Sequence, residues 1–562
     1  MRSLLARRAG TPARRTGLLL RGAGVPAVAC ALLLGACTRA DLSAAGTSNG
    51  GRHAWTQPGH LRYGSAYEPD NLNPLFANTQ AANDIAYAVF EPIFRYDPDG
   101  NFVPAAVTDV PTAENGGISR DGKTITLHFR PNMKWSDGAP YDARDLIFTW
   151  HAVMNPRNNT RLQVGWDDIA AMELVAGKQT VRIRLKHVNA GVLGAFAVGG
   201  AGYPPLPAHL LQHLADINHA PFNAKPISSG PFVLSAWNHG SALELVPNPY
   251  YWRGKPGLTH LTYRFVPNAE TLLSQTRTHE VDLYEGVGEN QIPLLPQIAG
   301  IVISKRLSAN WRRLAFNTRK PQLSDRRVRQ AIAQAVDWDG MNQTIFHGYN
   351  ERAVSDIVPT SWAAPTVANY PYDTAGAKKL LDAAGWHPGP DGIRVKNGVP
   401  LRFSVSTTPS KQSNIQAEVL MQQELKSVGI GLEVKNYPGS LLFARDGPVY
   451  TGTYDSEFTI ETNGPDPDNE GLWSSAFVPP HGTNATYFDD PVVTRASHAA
   501  LLTYDRVQRK ALYQQVEARI HQQVPAVFFY WQNAYSAVNM DMRSWQPATY
   551  ISSFWNCYEW SI

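Results

Sequence analysis

The chain has 562 residues, of which 43% are hydrophobic and 17% charged, with a formal charge of +4; this is too apolar for intrinsic disorder. No run of about 18 uncharged apolar residues recurs, which excludes a multi-span membrane protein, and the 44 Gly and 41 Pro follow no period, which excludes collagen-like and coiled-coil structure. At roughly 100–200 residues per domain, the length predicts about three or four domains or lobes.

Residues 1–36 hold six Arg and no acid, so the remainder carries a formal charge of −2. A near-neutral body has no electrostatic footprint for nucleic acid or an anionic membrane surface. The Arg-rich start, the apolar stretch 22–36 and Leu34-Gly35-Ala36-Cys37 read as a secretory signal, too short to cross a bilayer. Its last four residues resemble the bacterial lipobox, which implies cleavage before Cys37 and acylation of that thiol; the other reading is a non-lipidated signal with a chance Cys. Arg14-Arg15 suggests twin-arginine export, but Gly17 stands where that signal prefers a bulky apolar residue. With Cys30 lost and Cys37 lipidated, Cys557 remains alone, so the mature chain has no disulfide or Cys-based metal framework. Residues 38–57 are rich in Ala, Gly, Ser and Thr and predict a flexible tether, placed at 37–59.

From His60 onward, short β-type runs alternate with helical patterns, which predicts α/β lobes without an internal repeat. Strands are expected at 61–64, 124–130 (after the turn Asp121-Gly122), 243–246 and 261–265. Ser324 or Asp325 caps a helix whose apolar stripe is Val328, Ile332, Ala335 and Val336. Further helices are expected at 375–384, 415–428 and 507–523, the second ending at Gly429.

Motifs that carry chemistry fail on context. Gly46-Thr47-Ser48-Asn49-Gly50 matches a nucleophile elbow but lies in the tether, without the flanking strand and helix. Gly286-Val287-Gly288 is followed by Gln291 where a third Gly is required, and no phosphate-loop Lys pattern occurs. Asp466-Pro467-Asp468-Asn469-Glu470-Gly471 begins like a calcium loop, yet its twelfth position is Phe477 instead of a bidentate Glu. His209 and His213 are spaced for one helix face but lack the intervening Glu of a zinc protease, and they read as solvated or core histidines, with His219 nearby. Most of the 15 Trp, 23 Tyr and 20 Phe are core residues, and some can wall a ligand pocket. No catalytic residue, metal or cofactor is expected.

Several ordered segments resemble the bacterial extracellular solute-binding proteins of family 5, the peptide- and nickel-binding components of ABC importers. These are Glu68-Pro69-Asp70-Asn71-Leu72-Asn73-Pro74, then Asp121 through Pro131, Lys134-Trp135-Ser136-Asp137-Gly138 and Ala143-Arg144-Asp145. Ser229-Gly230-Pro231-Phe232, Asn248-Pro249-Tyr250-Tyr251-Trp252-Arg253-Gly254-Lys255-Pro256, Glu280-Val281-Asp282-Leu283, Phe316-Asn317-Thr318 and Asp325 through Ile332 continue the series. The resemblance covers about residues 60–562. It implies an α/β, two-lobed clamshell of the type II periplasmic-binding-protein kind with an extra inserted domain: lobe I at 60–95, 226–308 and 525–562, domain II at 96–225 and lobe III at 309–524. It also implies a monomer, tethered outside the cytoplasmic membrane by lipid alone, that closes around its ligand and passes it to ABC permease subunits served by cytoplasmic ATPases.

In peptide-binding relatives an Asp four residues before the Pro of an acidic-Pro motif pairs with the peptide α-amino group. Here that motif is Asp466-Pro467 and the matching position is Asn463, with Glu461 close enough to substitute. An Asn accepts a hydrogen bond but supplies no formal charge. Some oligopeptide-binding relatives carry an Arg where Glu457 falls. Asn78-Thr79-Gln80 matches a stretch that pairs with extended peptide as an added strand. Arg445 resembles a cleft Arg that holds a carboxylate, and Tyr437, Glu285, Gly286 and Trp473 are expected to line the cavity. The expected cargo is therefore peptide. The alternatives are a nickel chelate, oligosaccharide or opine on the same scaffold, favoured by Asn463, and an exported hydrolase, which would need a nucleophile and base that the sequence does not supply.

Overall fold

The computed structural model describes residues 51–198, 202–409 and 411–562. The signal, Cys37 and the Gly46–Gly50 stretch lie outside them. An 11-stranded mixed sheet runs through the molecule. From one edge it contains the strands Gly431–Val434, Arg402–Ser406, Ser456–Thr462, Ile301–Phe316, Ala526–Asn539, Leu283–Glu285, His60–Ser65, His260–Phe265, Ala242–Pro247 and Phe232–Asn238, with Glu351–Arg352 beside Ala526–Asn539.

Alternation places apolar side chains on the faces of this sheet, and separate cores form around it. One core gathers Leu61, Phe90, Ile125, Trp135, Leu243, Phe554 and Trp560. A second gathers Leu314, Ile332, Phe403, Met421, Phe458 and Phe529, and a third Trp311, Trp473, Val516 and Phe528. The two long strands pass between them: Val538 belongs to the first core, whereas Val527 and Phe529 belong to the second. These strands pair antiparallel from Ile301↔Asn539 to Ala315↔Ala526, with register shifts between Leu307 and Trp311 and between Arg312 and Arg313. Smaller sheets, Thr124–His128/Thr180–Leu185/Ile169–Ala176 and Phe94–Tyr96/Phe102–Pro104, stand apart from the large one.

The local expectations translate into structure with small boundary changes. Asp325 caps Arg326–Ala335 by accepting from Arg327 N, and Val336 is the C-cap rather than a helical residue. The other three helices are Thr374–Ala383, Gln412–Ser427, which begins three residues before 415, and Arg506–Gln523. The strand expected over 124–130 ends at His128. The helix Ala208–Leu211 stops before His213; His209 Nε2 lies 2.9 Å from Asp137, and His219 Nδ1 lies 2.7 Å from Asp216. Asp466 is held by Arg509 at 2.6 Å, so the acidic-Pro segment is a tied turn. Among the described residues no group of three or more His, Cys, Asp or Glu is placed to hold a metal ion. Cys557 is a buried free thiol, pushed up to about 12 by burial.

The flexible tether needs correcting at its end. His53 N and Thr56 Oγ1 donate to Asp541 Oδ2 at 2.8 and 2.6 Å, and Trp55 stacks between His53 and His279. Hydrogen bonds and ring contacts therefore fix residues 53–56, which composition alone assigned to the tether.

The Ser229-Gly230-Pro231-Phe232 motif has a packing cause. Ser229 N and Gly230 N both donate to Val89 O, at 3.1 and 2.8 Å. A Cβ on Gly230 would lie 2.8 Å from Phe90 N and Val89 C, backbone atoms that cannot rotate away. Gly230→Ala is expected to cost about 1–3 kcal/mol, read as a lower urea midpoint; an unchanged midpoint would refute the close approach.

Candidate ligand-binding site

The strand Ser456–Thr462 pairs with Ile301–Phe316 so that Glu461 opposes Trp311, Thr459 opposes Arg313 and Glu457 opposes Ala315. Period-two alternation puts Glu457, Thr459 and Glu461 on one face with Trp311 and Arg313. There Arg313 Nη2 donates to Glu457 Oε1 at 3.0 Å and to Glu461 Oε1 at 2.6 Å. The Arg313 and Glu457 side chains are each 1% exposed, but Glu461 is 32% exposed. The cluster holds one cation and two carboxylates, and its only outlet to solvent is Glu461. Burial pushes Glu457 up to about 6, with Arg313 opposing. Burial works against the Arg313 charge as well, but Glu461 and then Glu457 outweigh it and the shift is upward. Arg313 also lies over the Trp311 and Trp473 rings, at 5.6 and 5.8 Å.

Asn463 sits at the end of this wall. Its Oδ1 accepts from Trp311 Nε1 at 2.9 Å, and its amide donates to the Asp356 carbonyl. Asp356 in turn accepts from Trp473 Nε1 at 3.1 Å and is hydrogen-bonded to Glu517, which accepts from Asn469 at 2.9 Å. Glu461, Asn463 and Trp473 thus come together, but Trp473 is fully buried and supports the wall from behind instead of lining a cavity.

A second polar group lies across the sheet. Asp84 accepts from Gln80 Nε2 at 2.8 Å, Ser552 Oγ at 2.6 Å and Tyr263 Oη at 2.9 Å. Glu285 accepts from Ser553 Oγ at 2.5 Å and Tyr63 Oη at 3.0 Å, and Tyr63 stacks on Tyr263 at 4.7 Å. Burial raises Asp84 to about 6 and Glu285 to about 7. Gly286, with φ +71, has open space where a Cβ would point, so this group opens to solvent beside Glu285.

Asn78 N donates to Asp70 and its side-chain amide to Phe76 O. Thr79 is the N-cap of the helix Gln80–Val89. The stretch leads in extended conformation into this helix, and the Thr79 hydroxyl accepts from Ala82 N. Arg445 is exposed, and Tyr437 packs against a small cluster containing Leu442 and Val449. Reading motifs alone missed Arg313, Asp356, Glu517, Asp84, Tyr63 and Ser553. A charge at an inward position of a β-alternating run, as Arg313 is in Trp311-Arg312-Arg313-Leu314, was the one available signal.

Separate cores joined by two long strands, with polar walls on either side of them, form a two-lobed α/β solute-binding architecture. The chain belongs to the bacterial extracellular solute-binding proteins, family 5, whose middle-region model matches residues 103–481. It is 24% identical over 501 residues to the oligopeptide-binding protein AppA of Bacillus subtilis, covering 87% of this chain and 89% of that protein. It is 26% identical over 473 residues to the nickel-binding periplasmic protein of Escherichia coli, covering 81% and 86%. Among solved structures, AppA from Bacillus subtilis in complex with a nonapeptide superposes with a TM-score of 0.71 at 22% identity, covering 90% of this chain and 99% of that one. NikZ from Campylobacter jejuni in complex with Ni(L-His) gives 0.74 at 24%, covering 90% and 100%. These superpositions establish the type II periplasmic-binding-protein fold.

Proposed function

We propose that the protein is the lipid-anchored receptor of an ABC importer, capturing peptides outside the cytoplasmic membrane and delivering them to permease subunits by hinge closure, without chemistry of its own. Lobe I is assigned to 60–95, 226–308 and 525–562, domain II to 96–225 and lobe III to 309–524. The hinge is assigned to the irregular pairing between Leu307 and Trp311 on the long strands. The observation that carries the reading is the net negative cluster whose only exposed member is Glu461, complementary to a peptide ammonium.

Protein of residues 38–562, denatured after purification, is expected to release a ladder of short peptides detectable by mass spectrometry. Asn463 stands where peptide-binding relatives carry an Asp and supplies no formal charge for a peptide ammonium, which leaves a second reading, a nickel chelate, oligosaccharide or opine. A single non-peptide species in the released material would establish that cargo and sink the peptide reading. Glu461→Gln is expected to weaken binding of free-amine peptides about 10- to 100-fold, the worth of a charged hydrogen bond. Its affinity for N-acetylated peptides should stay unchanged; equal losses for both would sink the ammonium assignment.

A further inference from the structure

A polar recess lies at the other end of the same strand pair. Cavities of about 780 and 470 Å³ meet at Arg319 and Tyr487. Arg319 follows the strand end Phe316, which pairs with Ser456, whereas Glu461 pairs with Trp311. Five residues of strand put the recess about 17 Å beyond the Glu461 wall, away from the ligand site.

Its frame is fixed. Thr318 donates through N and Oγ1 to Thr486 O at 2.9 and 3.0 Å, and Tyr487 Oη donates to Val449 O at 3.0 Å. On this frame the exposed Arg319 guanidinium lies 4.5 Å from the Tyr487 ring centroid. Among the described residues no carboxylate forms an ion pair with it. Of the other charges on the larger cavity, Arg519 is paired with Asp490 at 2.6 Å. Arg329 is 3% exposed and donates only to main-chain carbonyls, including Leu323 O at 2.6 Å and Val524 O at 2.9 Å. Asp489 is exposed at the rim. The uncompensated charge is therefore two guanidinium groups against one carboxylate.

We propose that this recess docks an acidic segment of the membrane-embedded permease, one of whose carboxylates seats on Arg319; the partner's identity as a permease rests on the importer reading above. A planar guanidinium held against a ring presents its donors edge-on to a carboxylate, and Arg and Tyr are enriched where proteins meet. An exposed ion pair is worth about 0–1 kcal/mol, too little to retain a free small anion. As one contact of a wider surface it sets encounter rate and register.

The test uses the lipidated full-length protein in proteoliposomes with its permease and ATPase subunits. Arg319→Glu is expected to raise the concentration giving half-maximal ATPase stimulation at least tenfold, Arg319→Lys by less, and added salt is expected to narrow the gap. Cargo affinity and thermal midpoint should match the wild type. Stimulation by Arg319→Glu at wild-type concentrations would overturn the proposal. No stimulation by wild-type protein would defeat the importer reading, and the docking role with it, while leaving the cargo measurement intact.

Discussion

Arg313→Met is expected to destabilise the protein by about 3–5 kcal/mol, because it leaves Glu457 buried and unpaired. The effect should appear as a lower urea midpoint at pH 8 and shrink toward pH 5. The sign follows from Glu457: burial already sets it near 6 with Arg313 present, and loss of the cation raises it further, so protonation at low pH relieves the penalty. The double variant Arg313→Met/Glu457→Met should recover most of the loss, since apolar replacement of a whole buried ion pair is often neutral or favourable by about 1–4 kcal/mol. Recovery of the fold without recovery of cargo binding would show that Arg313 also orients Glu461. A single variant as stable as wild type at pH 8 would refute the buried-charge account.

Stability is also expected to fall as pH rises from about 4.5 to 7. Glu517 is raised well above its ordinary range by burial and by the neighbouring Asp356, and burial lifts Asp84 to about 6 and Glu285 to about 7. Each of these acids binds its proton more tightly in the folded state than in the unfolded one. Their contributions are therefore present at low pH and lost as the pH climbs from the ordinary carboxylate range to the folded-state value. Each such proton contributes a slope of about 1.4 kcal/mol per pH unit. Glu517→Gln keeps the group neutral, can still accept from Asn469, and can donate to Asp356. It should therefore be more stable than wild type at pH 8 by at least about one such unit and indistinguishable near pH 4.5. Denaturant titrations at the two pH values check this, and a variant equally destabilised at both would sink it.

The sequence by itself determined the local elements and the scaffold. Asp325 with its apolar stripe, Gly429 after the long helix and the alternating runs near 125, 245 and 263 specify structure through near-neighbour physics, capping and periodicity, which need no long-range information. The ordered motifs likewise identified the family now matched over residues 103–481. Charge compensation was different in kind. Glu457 stood out as an acid where relatives carry a base, but its counterion Arg313 lies 144 residues away and meets it only because Ser456–Thr462 pairs beside Ile301–Phe316 in one particular register. Asn463 occupies the position where peptide-binding relatives carry a ligand-pairing Asp, and only tertiary structure shows both ends of its amide bonded to Trp311 and Asp356. The same holds for Gln80 and Glu285, distant in sequence and joined through Asp84, Tyr263 and Tyr63, and for residues 53–56, which a loop-like composition marked as tether until Asp541 supplied their partner. Spacing along a chain fixes which groups share a face; which faces meet, and hence which charges are paired, buried or left open to a ligand, is decided by strand order and register.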